Sequence, residues 1–193
     1  MSKDMMEIRW HGRGGQGAKT AALLLGEAVI SAGKYVQAFP EYGPERMGAP
    51  VASYDRISEK PISVHSPVIN PDVVLVLDET LMDSVDVTKG LSEETGTLII
   101  NSPYAKDEIK KVIGWKGSKL FTIDASKISE ENIGRAIPNT PMIGALLGAT
   151  NLMPLDAFLE DTKHKLEKKF RNKPEVIDGN LKAIRVAYEE VKK

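Results

Sequence analysis

The chain contains no cysteine among its 193 residues. It therefore cannot bind an iron–sulfur cluster through thiolates, form a disulfide or use a thiol nucleophile. Its three histidines, His11, His65 and His164, are widely spaced and form no H-x-x-x-H or H-E-x-x-H pair. We accordingly predict no metal site, and we assign no catalytic residue to this chain.

Long apolar runs and an excess of one charge are also missing. No stretch approaches 18 apolar residues, and residues 1–4 lack an apolar signal core, so we expect a soluble, cytoplasmic protein that is not exported and binds no membrane. The 26 basic and 27 acidic residues leave a net charge of -1, which provides no overall field for nucleic acid. A basic stretch at 163–173 is interrupted by acids and is interpreted as a solvated helix face.

The most informative motif is the segment G-R-G-G-Q-G at 12–17, which lies between a short predicted strand and an apolar helical stripe. A strand that runs through a glycine turn directly into a helix is how an open α/β sheet presents backbone N–H groups to phosphate. We therefore predict an anion-binding turn here.

The letters at Gly12, Gly14 and Gly17 also fit the G-x-G-x-x-G pattern of nicotinamide and flavin sites. That pattern requires an acid about 20 positions further on, at the end of the second strand. The nearest acid is Glu41, which follows Pro40, and the Walker pattern fails as well. A dinucleotide site, a purely structural turn and a site for another phosphate-bearing ligand all remain open from these residues.

Alternating apolar patterns predict an α/β fold: three layers (α/β/α), with helices on both faces of a mostly parallel, Rossmann-like mixed sheet, in a single domain over 1–193. The run 73–77 is typical of a central strand buried on both faces. Residues 51–57 and 62–64 are predicted to form an antiparallel hairpin or edge, and crossover helices are expected between the later strands. Further helices are predicted at 18–32, from 139 onward and, as two surface helices, over about 155–192.

The segment 40–50 is a second candidate binding element. It holds three prolines, two glycines and Arg46, whose planar fork suits phosphate or carboxylate, although Arg46 could instead pair with Glu41 or Glu45. Asp78 and Asp124 follow two predicted strands, and we interpret both as helix caps rather than site residues.

Five segments together resemble one family. They are G-R-G-G-Q-G (12–17), Y-G-P-E-R-M-G-A-P-V (42–51), P-D-V-V-L-V-L-D (71–78), N-T-P-M-I-G-A-L-L-G-A (139–149) and N-L-K-A-I (180–184). On them the chain resembles the gamma subunits of pyruvate:ferredoxin oxidoreductase, within the 2-oxoacid:acceptor oxidoreductases. The form E-R-M-G-A-P at 45–50 favours the pyruvate branch of that family.

The resemblance implies one subunit of an enzyme that decarboxylates pyruvate, reduces ferredoxin and forms acetyl-coenzyme A. It implies alpha, beta and delta subunits that carry thiamine diphosphate, Mg and iron–sulfur clusters, an isolated chain that is inactive, and coenzyme A as a shared substrate. The implied site residues are Gly12, Arg13, Gly14, Gly15, Gln16, Gly17, Arg46, Asn139 and Thr140. The alternative is a stand-alone NAD(P)-, flavin- or nucleotide-binding Rossmann-like protein.

Overall fold

The computed structural model describes residues 5–41, 47–171 and 173–193. Within them one sheet has the order β2-β3-β1-β4-β5-β6. Strand β3 runs antiparallel to both of its neighbours, whereas β1, β4, β5 and β6 are parallel. The strands are β1 (Met5–Arg13), β2 (Tyr35–Pro40), β3 (Pro50–Ser58), β4 (Val73–Val76), β5 (Thr97–Asn101) and β6 (Leu120–Ile123). The predicted mostly parallel, mixed sheet is confirmed.

The predicted hairpin of 51–57 with 62–64 is wrong. Strand β3 lies between β2 and β1, where Val51 is opposite Gly12 and Tyr54 is opposite both Arg9 and Phe39. Residues 62–64 form no strand and belong to a coil over 59–72. A local apolar pattern does not say which strand a segment pairs with, because that choice depends on distant residues.

Helices cover the two faces of the sheet unequally. The first face carries five of the helices described: α1 (Ala18–Ser31), α3 (Ala125–Ile133), α4 (Asn139–Thr150), α5 (Leu155–Lys169) and α6 (Pro174–Val191). The second face carries α2 (Lys106–Ile113) and a short 3-10 helix, Glu79–Asp83. This 3-10 helix stands where the sequence predicts a crossover helix between β4 and β5.

The centre of the first face is α4, which is buried on every side. A Cβ on Gly144 would lie 2.2 Å from the carbonyl oxygen of Ile184 in α6, so only glycine lets the two helix backbones approach this closely. The small residues of α4 thus produce the close packing that they predict. Helix α6 is correspondingly not a mere surface helix, because Ala183, Ile184 and Ala187 are fully buried.

A buried arginine holds the coil 59–72 on the second face. Arg56 is 1% exposed, and its Nε donates to Glu7 Oε1 at 2.9 Å. Its two terminal nitrogens donate to the carbonyl oxygens of Val64 and Ser66, and its guanidinium lies over the Phe39 ring. None of the described helices is long and apolar enough to cross a membrane.

Candidate functional site: a cavity at the glycine turn

A cavity of about 440 Å³ opens where β1 and β2 end and β3 begins. This edge of the sheet is where ligands bind in open α/β folds, because the carboxyl ends of the parallel strands meet there. The cavity is lined by Arg13, Gly14, Gly15, Gly17, Ala18, Lys19, Thr20, Pro40, Glu41, Met47, Val51, Ala52 and Ser53.

The glycine turn delivers the first turn of α1 into this cavity. Gly17 precedes the helix with φ 84°, and a Cβ there would lie 2.7 Å from Asn139 Nδ2, so no other residue fits without strain. The N–H groups of Ala18, Lys19 and Thr20 have no intrahelical acceptor, since they belong to the first helical turn. They and the positive end of the helix dipole therefore favour an anion at this wall.

Lys19 is a cavity residue that the sequence motifs do not single out. It is exposed, lines the cavity and forms no ion pair within the described part of the chain. In the sequence, Lys19 is notable only for its position two residues after the glycine turn. That position relates it to a Walker pattern, which the chain does not complete. An unpaired ammonium group beside unpaired amides strengthens the attraction for a phosphate.

Arg13, by contrast, is already engaged. Its Nε lies 3.2 Å from Asp78 Oδ2, and its Nη1 donates to the carbonyl oxygen of Gly48 at 3.2 Å. The turn is also bonded to the end of the 40–50 segment, because Gly14 N–H donates to Ala49 O at 2.9 Å and Gly48 N–H donates to Gly14 O at 3.1 Å. Arg13 thus connects the turn to its surroundings.

Of the other predicted site residues, those that the structure describes do not line the cavity. Gly12 belongs to β1, and Gln16 lies behind the turn against Asp78. Asn139, at the start of α4, lies beside Gly17 and accepts a 2.8 Å bond from Thr140 N–H at Oδ1. Arg46 lies outside the described residues. The structure thus brings the glycine turn and Asn139 together, and the roles of all these residues stay predictions.

The predicted aspartate caps are confirmed. Asp124 accepts from Lys127 N–H at 2.9 Å at the start of α3, and Asp78 accepts from Thr80 N–H at 3.0 Å at the start of the 3-10 helix. Partial burial of Asp78 opposes ionisation, but hydrogen bonds from Thr80 and Gln16 and the charge of Arg13 outweigh it and lower the pKa of Asp78. Asp78 is therefore a carboxylate at neutral pH.

An acid that follows β2 is bonded to a phenol on β3. Tyr54 Oη donates to Glu41 Oε2 at 2.9 Å, and burial together with this bond raises the pKa of Tyr54 to about 12. Glu41 is the acid at the end of β2 that a dinucleotide site would use, and it lines the cavity. However, β3 separates β2 from β1, so the two strands that a dinucleotide bridges are not adjacent.

Two buried basic side chains, Arg9 and His11, lie on β1, the strand that leads into the glycine turn. Arg9 donates from Nη2 to the carbonyl oxygens of Val87 and Lys89, at 2.9 and 2.8 Å. His11 is 8% exposed, and its Nε2 has no hydrogen-bond partner in the described structure. Burial and the neighbouring charge of Arg9 lower the pKa of His11 to about 4, so this imidazole is neutral at pH 7.

The described residues do not fit a metal ion, and the sequence offers no thiolate for an iron–sulfur cluster. The chain has no cysteine, and the described residues contain no group of three histidine, aspartate or glutamate side chains that could hold a metal. The ligand that the cavity suits is instead an organic anion of moderate size, since binding pockets for such molecules span about 300–1,000 Å³.

Comparisons with known proteins give a consistent result. The family model described as pyruvate ferredoxin/flavodoxin oxidoreductase matches residues 7–190. The chain is 50% identical to "Pyruvate synthase subunit PorC" of Thermotoga maritima, covering 100% of this chain and 97% of that protein. It is 45% identical to "Pyruvate/ketoisovalerate oxidoreductases common subunit gamma" of Pyrococcus furiosus, covering 96% of this chain and 97% of that protein.

Solved structures agree on the fold. The crystal structure of the Thermotoga maritima pyruvate oxidoreductase subunit PORC superimposes with a TM-score of 0.84 at 47% identity, over 97% of each chain. A 2-oxoglutarate:ferredoxin oxidoreductase from Magnetococcus marinus matches with a TM-score of 0.75 over 99% of this chain and 32% of that one. At 22% identity the second likeness shows the fold alone. The chain belongs to the pyruvate ferredoxin/flavodoxin oxidoreductase family.

Proposed function

We propose that this chain is the gamma subunit of a multi-subunit pyruvate:ferredoxin oxidoreductase, and that the cavity at its glycine turn binds the phosphate-bearing end of coenzyme A. The complex converts pyruvate and coenzyme A into acetyl-coenzyme A and carbon dioxide, and it passes two electrons to ferredoxin. The family membership and the full-length relatives named as subunits of such enzymes support the first part.

One observation carries the second part. The lining of the cavity combines the first turn of α1 and Lys19, which favour an anion, with the apolar residues Pro40, Met47 and Val51. Coenzyme A has the matching chemistry, because phosphates at one end are followed by a long, weakly polar arm. A volume of about 440 Å³ can hold part of such a molecule, so other subunits would hold the remainder.

This division of labour leaves the redox chemistry to the partner subunits. Alpha, beta and delta chains would carry the thiamine diphosphate, Mg and iron–sulfur clusters, because this chain has no thiolate to offer a cluster. The present chain would bind and orient coenzyme A near the acyl group formed on a partner. We therefore expect the isolated chain to be inactive and the assembled complex to depend on it.

The test replaces Lys19 by glutamate in the assembled complex. Because this change replaces a cation beside a phosphate by an anion, it should raise the KM for coenzyme A about tenfold or more. The KM for pyruvate should stay unchanged in the same assay, which follows viologen reduction. Lys168→Glu, an exposed charge reversal on α5, is the matched control. If Lys19→Glu and Lys168→Glu give the same KM for coenzyme A, the proposed site is wrong.

The stand-alone NAD(P)-, flavin- or nucleotide-binding alternative is not supported, because the relatives are named as oxidoreductase subunits and β3 separates the two strands that a dinucleotide would bridge. It predicts that the purified chain alone binds NADH, flavin or another nucleotide without partners. Calorimetric titration of the chain with NADH, FAD and coenzyme A separates the two functions. Arg46→Glu in the complex tests the remaining prediction, that Arg46 contacts an anionic group of coenzyme A.

A further inference from the structure

We propose that Asp78, which does not line the cavity, is the positioning residue that sets the shape of the glycine turn, acting through Gln16 and Arg13. The inference rests on the proposed function, because the effect to be measured is the binding of coenzyme A. It assigns a role to an aspartate that the sequence presents only as a helix cap.

The first connection runs through the Gln16 amide. Its Nε2 donates to Asp78 Oδ2 at 2.6 Å, and its Oε1 accepts from the backbone N–H of Arg13 at 2.7 Å. A carboxylate only accepts hydrogen bonds, so it dictates which end of the Gln16 amide faces it. The other end must then present its oxygen to the turn, where it satisfies the Arg13 N–H.

The second connection runs through Arg13 and Thr80. Thr80 Oγ1 donates to Asp78 Oδ1 at 2.6 Å, which leaves its lone pairs to accept from Arg13 Nη2 at 2.7 Å. Asp78 Oδ2 meanwhile lies 3.2 Å from Arg13 Nε. The same guanidinium donates to Gly48 O, so one carboxylate orients the turn and, through Arg13, the end of the 40–50 segment.

A capping role alone does not require this arrangement. The bond from Thr80 N–H uses only Asp78 Oδ1, as the single bond at Asp124 Oδ1 does in the other capped helix. The second oxygen of Asp78 is directed at the turn, which lies 62 positions away in sequence. Asp124 therefore provides a natural control, since it has the same residue type and the same cap at the same edge of the sheet.

The experiment compares Asp78→Asn with Asp124→Asn in the assembled oxidoreductase. Asparagine keeps a capping oxygen but places an NH₂ group against Gln16, which must flip and leave the Arg13 N–H without an acceptor. We expect Asp78→Asn to raise the KM for coenzyme A about tenfold, because a turn that is no longer held in its binding shape must be ordered when the ligand binds. The KM for pyruvate should stay unchanged, and the melting temperature should fall by a few degrees because the pairing of Asp78 with Arg13 is lost. Asp124→Asn should leave all three unchanged.

A double variant distinguishes the positioning role of Asp78 from a general loss of structure. When Asp78→Asn is combined with Gln16→Glu, the carboxylate and the amide exchange places. The carboxylate introduced at position 16 can then accept both from the Arg13 N–H and from the amide introduced at position 78. We expect this pair to recover most of the affinity for coenzyme A that Asp78→Asn loses. No recovery, or an equal rise in the KM for pyruvate, would overturn the positioning role.

The Lys19→Glu complex separates this inference from the proposed function. If Lys19→Glu raises the KM for coenzyme A and Asp78→Asn does not, the cavity stands and the role of Asp78 is wrong. If neither variant changes that KM, both are wrong. If both raise it and the exchanged pair restores it, the role of Asp78 is supported.

Discussion

The indole N–H of Trp10 donates a 2.7 Å hydrogen bond to Asp55 Oδ2 across the β1–β3 pair, where both side chains are fully buried. Asp55 Oδ1 has no hydrogen-bond partner in the described structure. Burial raises the pKa of Asp55 well above its ordinary value, and the bond from Trp10 opposes that rise only in part. The folded chain therefore keeps a proton on Asp55 that the unfolded chain releases.

This difference makes stability depend on pH. Below about pH 4 Asp55 is protonated in both states, and above it only the unfolded state loses the proton, so the free energy of unfolding falls as pH rises toward the raised pKa. Asp55→Asn imitates the protonated form and removes this fall. We expect its stability relative to the parent chain to increase as the pH rises above about 4 in urea unfolding. Parallel curves for the two proteins would contradict a protonated Asp55.

His11 makes stability depend on pH in the opposite direction to Asp55. Its pKa is lowered to about 4 in the folded chain from an ordinary 6.5, so the unfolded state binds more protons between these values. Stability should therefore rise with pH from about 4 to 6.5, and it is lost as the pH falls through that window. His11→Gln should flatten this rise in urea unfolding series. His65→Gln, on the exposed coil, is the control for removing a histidine.

Replacing Arg56 by lysine should lower the free energy of unfolding even though the charge is kept. Lysine cannot reproduce the fork that reaches Glu7 and the carbonyl oxygens of the coil, so Arg56→Lys leaves buried acceptors unsatisfied. We expect a loss of about 3 kcal/mol in the free energy of unfolding and faster hydrogen exchange over 59–72. Arg185→Lys, at an exposed pair with Asp156, should cost less than about 0.5 kcal/mol. Equal losses of stability in Arg56→Lys and Arg185→Lys would show that Arg56 does not hold the coil 59–72 in place.

Adding one methyl group at Gly144 should destabilise the packing of α4 against α6. In Gly144→Ala the new Cβ would meet the Ile184 carbonyl oxygen at 2.2 Å, and because that atom is backbone, α4 and α6 must separate. We expect a loss of about 3 kcal/mol in thermal or urea unfolding. Lys163→Ala, on the exposed face of α5, should change stability by less than about 0.5 kcal/mol. Unchanged stability of Gly144→Ala would mean that the helices adjust freely.

Local signals predicted the elements that depend on local residues. The buried run at 73–77, the helix from 139 and the two aspartate caps follow from apolar patterning and capping chemistry within a few positions. The place of β3 between β2 and β1 could not be predicted, because strand pairing is a choice among distant segments.

The candidate site shows the same limit. The glycine turn was predictable from its sequence motif, whereas its contact with Asn139 is seen only in the folded chain. The contact of Asp78 with Gln16 spans 62 positions, and Asp78 and Asp124 carry the same local capping signal. Lys19 has no motif of its own, because its importance comes from a cavity wall that exists only after folding.

The close contact of α4 with α6 also constrains how the chain acquires its fold during synthesis. Helix α6 lies after α4 in the chain and covers its outer side, so the apolar surface of α4 stays open until about 40 further residues have left the ribosome. At the usual rate of translation that interval lasts roughly 2–8 s. The nascent chain therefore exposes the side of α4 that faces α6 for seconds before α6 can cover it.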